Sequence, residues 1–344
     1  MAAPETRLET DASYGSDRDG LVWGYRFEPD EPGRPTECGD AAQALTDPAA
    51  IARGQFAWLH FSLANAASER WLRRALELPD AFYDSLSEPL GATRVERDED
   101  RLVAVLHDVT FDFTFDPEDV STVCLCIGPS FLVTARIRPL RSVDQLRAAV
   151  KRGERFRSSV DLLAHQLRSQ ADVLVQIVRQ STSRVDAIED RLLANRASAS
   201  RRELGALRRV LVRLQRLLAP EPAALFRLLS RPPAWIAGED LHDLRAAAEE
   251  FNTAVADSAA LVERVKLLQE ELTALVDEQT NRTLFVLTVV TVSALPINLV
   301  AGLFGMNVGG IPLAEAANGF WTIALTLVAC TALLLYWTLL RRRD

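Results

Sequence analysis

The chain has 344 residues, 48% hydrophobic and 25% charged, with a formal net charge of −8 at pH 7. That length holds one large domain or two ordinary ones plus membrane spans. The acidic balance disfavours nucleic acid as the main partner and favours cations. Cys38, Cys124, Cys126 and Cys330 lack the spacing of a disulfide scaffold or a zinc ribbon, so reduced thiols in a cytosolic domain are expected.

Residues 1–19 are rich in Ser, Asp, Glu and Gly, which predicts a disordered, polar N-terminus with no cleavable signal peptide. Residues 20–155 then read as a cytosolic α/β domain. Leu21–Phe27 is a first strand, followed by a loop with Pro29, Pro32, Gly33 and Pro35, and Phe56–Ser62 is a second short apolar strand. Asn65 or Ser68 is placed to cap a helix carrying Trp71, Leu72, Ala75 and Leu76, and Pro79 opens a short helix to Leu86. Val95–Arg97 and Leu102–Val109 form a hairpin about Asp98–Asp100. Ser121–Ile127 and Ser130–Ile137 form another about Gly128–Pro129. Ser142 or Asp144 starts a helix to Val150.

Residues 156–233 read as a helical hairpin region. Val160, Leu163, Leu167, Leu174, Ile177, Val178, Val185, Ile188 and Leu192 keep helical spacing. Ser200 and Glu203 have the capping-box spacing for a second helix to Pro220, and Glu221–Leu229 predicts a shorter third. Residues 198–233 hold eight arginines against two acids, a balance of +6, and residues 235–282 hold eleven acids against four basic residues, a balance of −7. A basic helix lying beside an acidic one is therefore expected.

From Leu241 to Phe304 the chain reads as one helix, with no proline before Pro296 and no glycine before Gly302. Its first part, a stalk over 234–282, carries a heptad seam of Phe251, Ala254, Ser258, Leu261, Val265, Leu268, Leu272 and Leu275, which predicts contact with an equivalent helix. After Arg282 the charge stops. Residues 283–304 and 320–340 are each about one bilayer thickness long. Arg282 and Arg341–Arg343 flank the two spans and their loop has no Lys or Arg, which predicts both termini in the cytosol. Two helices have no interior, so a transport path requires several chains around one axis.

Continued into the first span, the seam becomes Leu284, Leu287, Thr291, Leu295 and Asn298. A carboxamide in a span is too costly to face lipid, so this stripe is expected to meet a neighbouring helix or water. Pro296 removes one backbone hydrogen bond and should bend the helix.

Gly305–Met306–Asn307 follows the first of two C-terminal spans, and Gly309–Gly310–Ile311–Pro312 comes next. In these motifs, and in LVWGYRF, WLHFSL and the Arg-rich RRELGALRRVLVRLQRLLAPEP, residues 20–344 resemble the CorA superfamily of divalent-cation channels and transporters, in its ZntB-like zinc branch. The resemblance implies a funnel-shaped homopentamer in the inner membrane: an α/β domain, a stalk helix running into a pore-lining span, and a second span outside it. It implies an entry site at Gly305, Met306 and Asn307, in the outer loop 305–319, and a pore lined by Asn298, Leu295, Thr291, Leu287 and Leu284. Transported Zn²⁺, or Mg²⁺ and Co²⁺ as in CorA, would be the cargo, with no cofactor. The expected partners are other copies of the chain, membrane lipid and divalent cations. Glu315 outside, and Glu270 and Asp277 on the stalk with Glu271 and Glu278 nearby, would attract cations to the mouths; residues 341–344 form a basic cytosolic tail. No resident metal-ligand set stands out: Cys124, Cys126 and His107 lie close in an apolar strand pair, where a structural role is commoner, and His60 reads as a satisfied core histidine. No phosphate-binding loop or nucleophile–base pair appears, so no enzyme is expected. The competing reading is a membrane-anchored coiled-coil scaffold or sensor.

Overall fold

The computed structural model describes residues 15–29, 31–46, 48–87, 92–193, 197–306 and 318–340. The expected disorder of residues 1–14, Asn307, the Gly309–Pro312 segment, Glu315 and the tail 341–344 lie outside the described residues. The chain divides into two compact units, Met1–Gln269 and Glu270–Asp344.

The first unit is built on a seven-stranded mixed sheet. Its strands are β1 (Leu21–Phe27), β2 (Arg34–Pro35), β3 (Phe56–Ser62), β4 (Arg94–Asp98), β5 (Arg101–Val109), β6 (Val120–Gly128) and β7 (Phe131–Arg136), in the order β2-β1-β3-β7-β6-β5-β4. Among the described residues only β3 and β7 pair in parallel, Ala57 opposite Phe131 through Ser62 opposite Arg136. Every residue of β3, β6 and β7 is buried, because helices cover both faces; that is why these strands read as apolar runs rather than alternating ones. On one face Trp23, Tyr25, Phe27 and Trp58 pack with α5 (Arg141–Lys151), α6 (Ser159–Leu193), α8 (Pro220–Leu229) and the start of α9 (Gly238–Phe304). On the other, Leu59, Phe61, Val103 and Val105 pack with α1 (Cys38–Thr46), α3 (Ala67–Ala75) and α4 (Asp80–Leu86). The α/β expectation holds.

Several boundaries differ for physical reasons. The proline-rich stretch after β1 contains β2 and α1, and α2 (Pro48–Ala52) follows. Helices this short are marginal in water, and α1 is held by burying Cys38 and Ala41 on the sheet. At α3, Asn65 Oδ1 accepts from the Ala67 N–H at 2.9 Å, whereas the buried Ser68 hydroxyl donates to Ser62 O at 2.6 Å. Leu140, not Ser142 or Asp144, precedes α5, because Ser142 is engaged by Asp108. The second helix, α7 (Ala197–Leu218), starts three residues before Ser200, and Glu203 pairs with Arg191 of α6.

The seam of α9 also has a different partner. Phe251, Ala254, Ser258, Leu261, Val265 and Leu268 are buried within the single chain. Phe251, Ala254 and Val255 join Ala171, Leu174 and Ile177 of α6 and Val210, Leu214 and Leu218 of α7 in one core. An apolar stripe specifies that something covers it, not which helix does. The basic–acidic pairing shifts similarly. Arg157 engages Glu239, Asp240 and Asp243, and Arg168 engages Asp243. Arg264 of α9 reaches Asp186 at 2.7 Å and Glu189 at 2.6 Å on α6. From α7, Arg208 donates to Gln269 at 3.0 Å. The leucine face of α7 is buried, and most of its arginines therefore point to solvent.

In the second unit, α9 continues to Phe304 and α10 (Gly319–Leu340) follows, 22 residues with no charged side chain. The full α9 has 67 residues, on the order of 100 Å at 1.5 Å per residue. It passes through Pro296 without a break.

Candidate cation pathway

The apolar part of α9 has two unlike faces. Phe285, Val289, Ser293, Pro296 and Val300 are half-buried, and Ile297 shares an apolar cavity of about 450 Å³ with Ala324, Leu327, Val328 and Thr331 of α10. Leu284, Leu287, Thr291, Leu295 and Asn298 are all exposed in the single chain, Leu287 by 62% and Leu295 by 65%. At about 100° per residue the second set lies roughly opposite the half-buried one. The five residues singled out in sequence thus form one stripe on the side of α9 turned away from its intrachain contacts.

The chemistry along that stripe is neutral and oxygen-bearing. Thr291 Oγ1 donates to Leu287 O at 2.8 Å, so the hydroxyl proton points into the helix and its lone pairs are left to face outward. Asn298 adds a carboxamide about two turns further on. Proline has no N–H, so the Val292 carbonyl loses the partner that residue 296 would otherwise supply. Thr291 and Asn298 each offer a dipole on the stripe and neither a formal charge, whereas the Val292 carbonyl faces residue 296, outside the stripe. Below them, Leu284 and Leu287 form the apolar end of the stripe.

At the end of α9, Gly305 N–H donates to Ala301 O at 3.0 Å and Met306 N–H to Leu303 O at 3.4 Å, closing the last turn. A Cβ on Gly305 would lie 3.2 Å from Ala301 O, tight enough to push on that carbonyl. Met306 is 52% exposed. Asn307 and Glu315 lie outside the described residues. Glu270 and Asp277, with Glu271 and Glu278, are exposed on the first turns of the second unit.

The tempting groups of the first unit do not converge. Cys124 donates to Ser85 O at 3.4 Å, and burial pushes the Cys126 thiol up to about 12. His107 instead meets Glu221 of α8 and Thr93. Among the described residues no three His, Cys, Asp or Glu side chains are grouped to hold a metal ion. His60 is fully buried, stacked on Trp23 with ring centroids 4.1 Å apart. Arg136 Nε donates to its Nε2 at 2.9 Å, so Nδ1 carries the proton and donates to Thr134 Oγ1 at 2.7 Å. Burial and then the Arg136 charge hold it neutral, well below its ordinary pKa.

Sequence reasoning did not single out two buried carboxylates. Asp108, near the end of β5, accepts from the Ser142 N–H at 2.8 Å, the Ser142 hydroxyl at 2.6 Å and the Val109 N–H at 2.7 Å, and Gln166 donates to Ser142 Oγ. Burial pushes its carboxyl up to about 7, against the pull of those bonds. Glu221 accepts from the His107 N–H and from Gln170 Nε2 at 2.9 Å, and burial raises it too. Together they tie β5 to α5, α6 and α8. An acid at the end of a buried apolar strand, and one between Pro220 and Pro222, were the available signals.

An α/β unit, a long helix whose far part carries no charged residue and sets Thr291 and Asn298 on an exposed side, and one more uncharged helix are the layout of a membrane protein. Residues 53–342 match the family described as CorA-like Mg²⁺ transporter protein, and the chain belongs to that family. It is a divalent-cation transporter, not an enzyme. It is 28% identical over 332 residues to the divalent cation transporter CmaX of Pseudomonas aeruginosa, covering 95% of this chain and 97% of that protein. It is 26% identical over 280 residues to the zinc transport protein ZntB of Pectobacterium atrosepticum, covering 81% and 85%. Among solved structures it is similar to full-length CmaX, with a TM-score of 0.77 at 26% identity over 96% of this chain and 99% of that one. The complete CorA magnesium transporter of Methanocaldococcus jannaschii has the same fold, with a TM-score of 0.71 at 18% identity over 91% and 96%.

Proposed function

We propose that the chain is one subunit of a funnel-shaped homopentamer that carries Zn²⁺ across the inner membrane. The observation that supports this most is the exposed stripe Leu284, Leu287, Thr291, Leu295 and Asn298, opposite the half-buried face of α9. Two spans cannot enclose water, so a transporter with this topology assembles the stripe around an axis. In the proposed organisation, residues 20–155 and 156–233 form the cytosolic part, 234–282 the stalk, 283–304 the pore span, 305–319 the outer loop and 320–340 the second span. Both termini are cytosolic, and the acidic stretch 1–19 and basic tail 341–344 flank these parts.

In this reading Gly305, Met306 and Asn307 form the entry, where five carboxamides meet the hydrated ion without binding it as carboxylates would. Thr291 and Asn298 pass it on, and Leu284 and Leu287 form a constriction that closes by dewetting. Glu315 outside, and Glu270 and Asp277 inside, become rings that focus cations at the mouths. Zn²⁺ prefers His, Cys and carboxylate ligands, and the stripe has none, so the ion crosses with its water shell and selectivity comes from field and size. The choice of Zn²⁺ follows the relatives named zinc transport proteins. The family's own description names Mg²⁺, which favours a second reading, a CorA-type channel that takes Mg²⁺ and, by the resemblance, Co²⁺. Family membership displaces the scaffold reading.

The test is flux of Zn²⁺, Co²⁺ and Mg²⁺ into proteoliposomes made with the full chain, with a metal-specific dye for each. Zn²⁺ uptake above the protein-free rate is expected. Flux of Mg²⁺ with none of Zn²⁺ establishes the second reading.

A further inference from the structure

The open edge of the sheet carries a cleft that cation transport does not use. It has a volume of about 500 Å³ and is lined by Arg26 of β1, Arg34 of β2 and Arg53 of the turn after α2, with Thr36 and Gln55 beside them. Among the described residues the only carboxylate lining it is Asp40. In a chain with a net charge of −8, three arginines from three separate elements line this one cleft.

The strand register makes the arrangement costly as it stands. β1 and β2 are antiparallel with Arg26 directly opposite Arg34, and like charges in that position repel. The backbone holds them there: the Thr36 N–H donates to Gly24 O at 2.9 Å. Any Cβ on Gly24 would come within 2.7 Å of Thr36 O, so a glycine is what lets the two segments approach. Arg34 pairs with the exposed Glu31 at 2.7 Å. Among the described residues neither Arg26 nor Arg53 has an ion pair. An anion between the three groups would turn repulsion into attraction.

The chemistry of the lining narrows the anion. Guanidinium forks match phosphate oxygens two at a time, and a hydroxyl and an amide add neutral hydrogen-bonding groups. A cleft of this size is in the range of small-molecule sites, and larger than one orthophosphate needs. We propose that this cleft binds a small molecule bearing a di- or triphosphate chain, held by Arg26, Arg34 and Arg53.

The probe is inorganic pyrophosphate, titrated into the purified full chain in detergent and without divalent metal, by calorimetry and by thermal unfolding at matched ionic strength. Saturable binding at one site per chain and a raised Tm are expected, with no rise from sodium chloride. Arg26→Gln and Arg53→Gln should each weaken binding by about tenfold or more. Arg26→Gln should leave the ligand-free Tm unchanged or higher, because it removes the repulsion. Arg53 sits on an exposed turn, so Arg53→Gln tests the site even if Arg26→Gln fails to fold. Competition identifies the source: displacement by soluble ADP supports a nucleotide, and displacement only by phosphatidylcholine vesicles containing the diphosphate lipid CDP-diacylglycerol supports a lipid headgroup. Affinity unchanged in both variants, or an equal Tm rise with chloride, overturns the proposal. So does failure of pyrophosphate to bind the parent chain; loss of the oligomer in Arg26→Gln would then assign the arginines to a subunit contact.

Discussion

Asn298 and Asp108 show opposite ways of placing a polar side chain. Asn298 is an uncharged amide on an exposed face of an apolar helix, where only water, an ion or another helix can satisfy it. Asn298→Leu keeps the approximate size and removes both hydrogen-bonding functions. The expected result is a chain that still assembles, with divalent flux in proteoliposomes reduced by about tenfold or more; normal flux would assign Asn298 to helix contacts alone. Asp108 is buried and satisfied inside its own unit. Its ordinary pKa of 3.8 is raised to about 7 by burial, so the folded chain binds the proton more tightly than the unfolded one. Its contribution to stability is therefore present in full below about pH 4 and is lost as the pH rises through about 7. Thermal unfolding of Asp108→Asn between pH 4 and 8 should show a flatter pH dependence than the parent chain; parallel curves would mean that Asp108 does not titrate in this window.

At the level of elements, α9 depends on its neighbours in the first unit rather than on helix propensity alone. Phe251 is fully buried where α6, α7 and α9 meet. Phe251→Ala should cost about 3–5 kcal/mol through lost burial and the cavity left behind, read as a lower Tm of the full chain. The ion pairs of Arg264 with Asp186 and Glu189 join α6 to α9 through side chains that are about half exposed. Arg264→Ala should therefore cost no more than about 1 kcal/mol, and less at high salt. A larger loss for Arg264→Ala than for Phe251→Ala would place the stability of this helix layer in charge rather than packing.

For the whole molecule, the number of chains is the decisive quantity. A helix pair whose outward stripe holds Thr291 and Asn298 has nowhere in a bilayer to put them except against other copies or water. Native mass spectrometry in mild detergent should give five chains per particle. Dimers would leave no room for an aqueous path and would end the pore proposal. Dimers would not bear on the phosphate cleft, whose residues all belong to one chain.

Much of the local architecture was legible in sequence. Phe56–Ser62 reads as a strand because seven residues of apolar and β-forming type stand between polar loops, and the structure has that strand at those bounds. The stretch to Phe304 reads as one helix because no breaker occurs before Pro296. The Thr291–Asn298 stripe followed from helical spacing alone. These are properties of neighbouring residues, and local sterics and hydropathy decide them. The partner of each surface was not legible. Phe251, Ala254 and Leu261 announced a buried seam, but whether another copy or α6 and α7 would cover it depends on where the chain folds back. The arginines of α7 suggested a charge match with α9, which instead draws on Arg157 and Arg168. Arg34, in a stretch that read as a loop, became the cross-strand neighbour of Arg26 in the first strand only when β2 added to the sheet edge. Sequence by itself determined which stripes must be covered and which segments can cross a membrane. Only the tertiary structure decided what covers them, because burial and charge pairing are satisfied by any suitable surface, and the chain path selects which surface arrives.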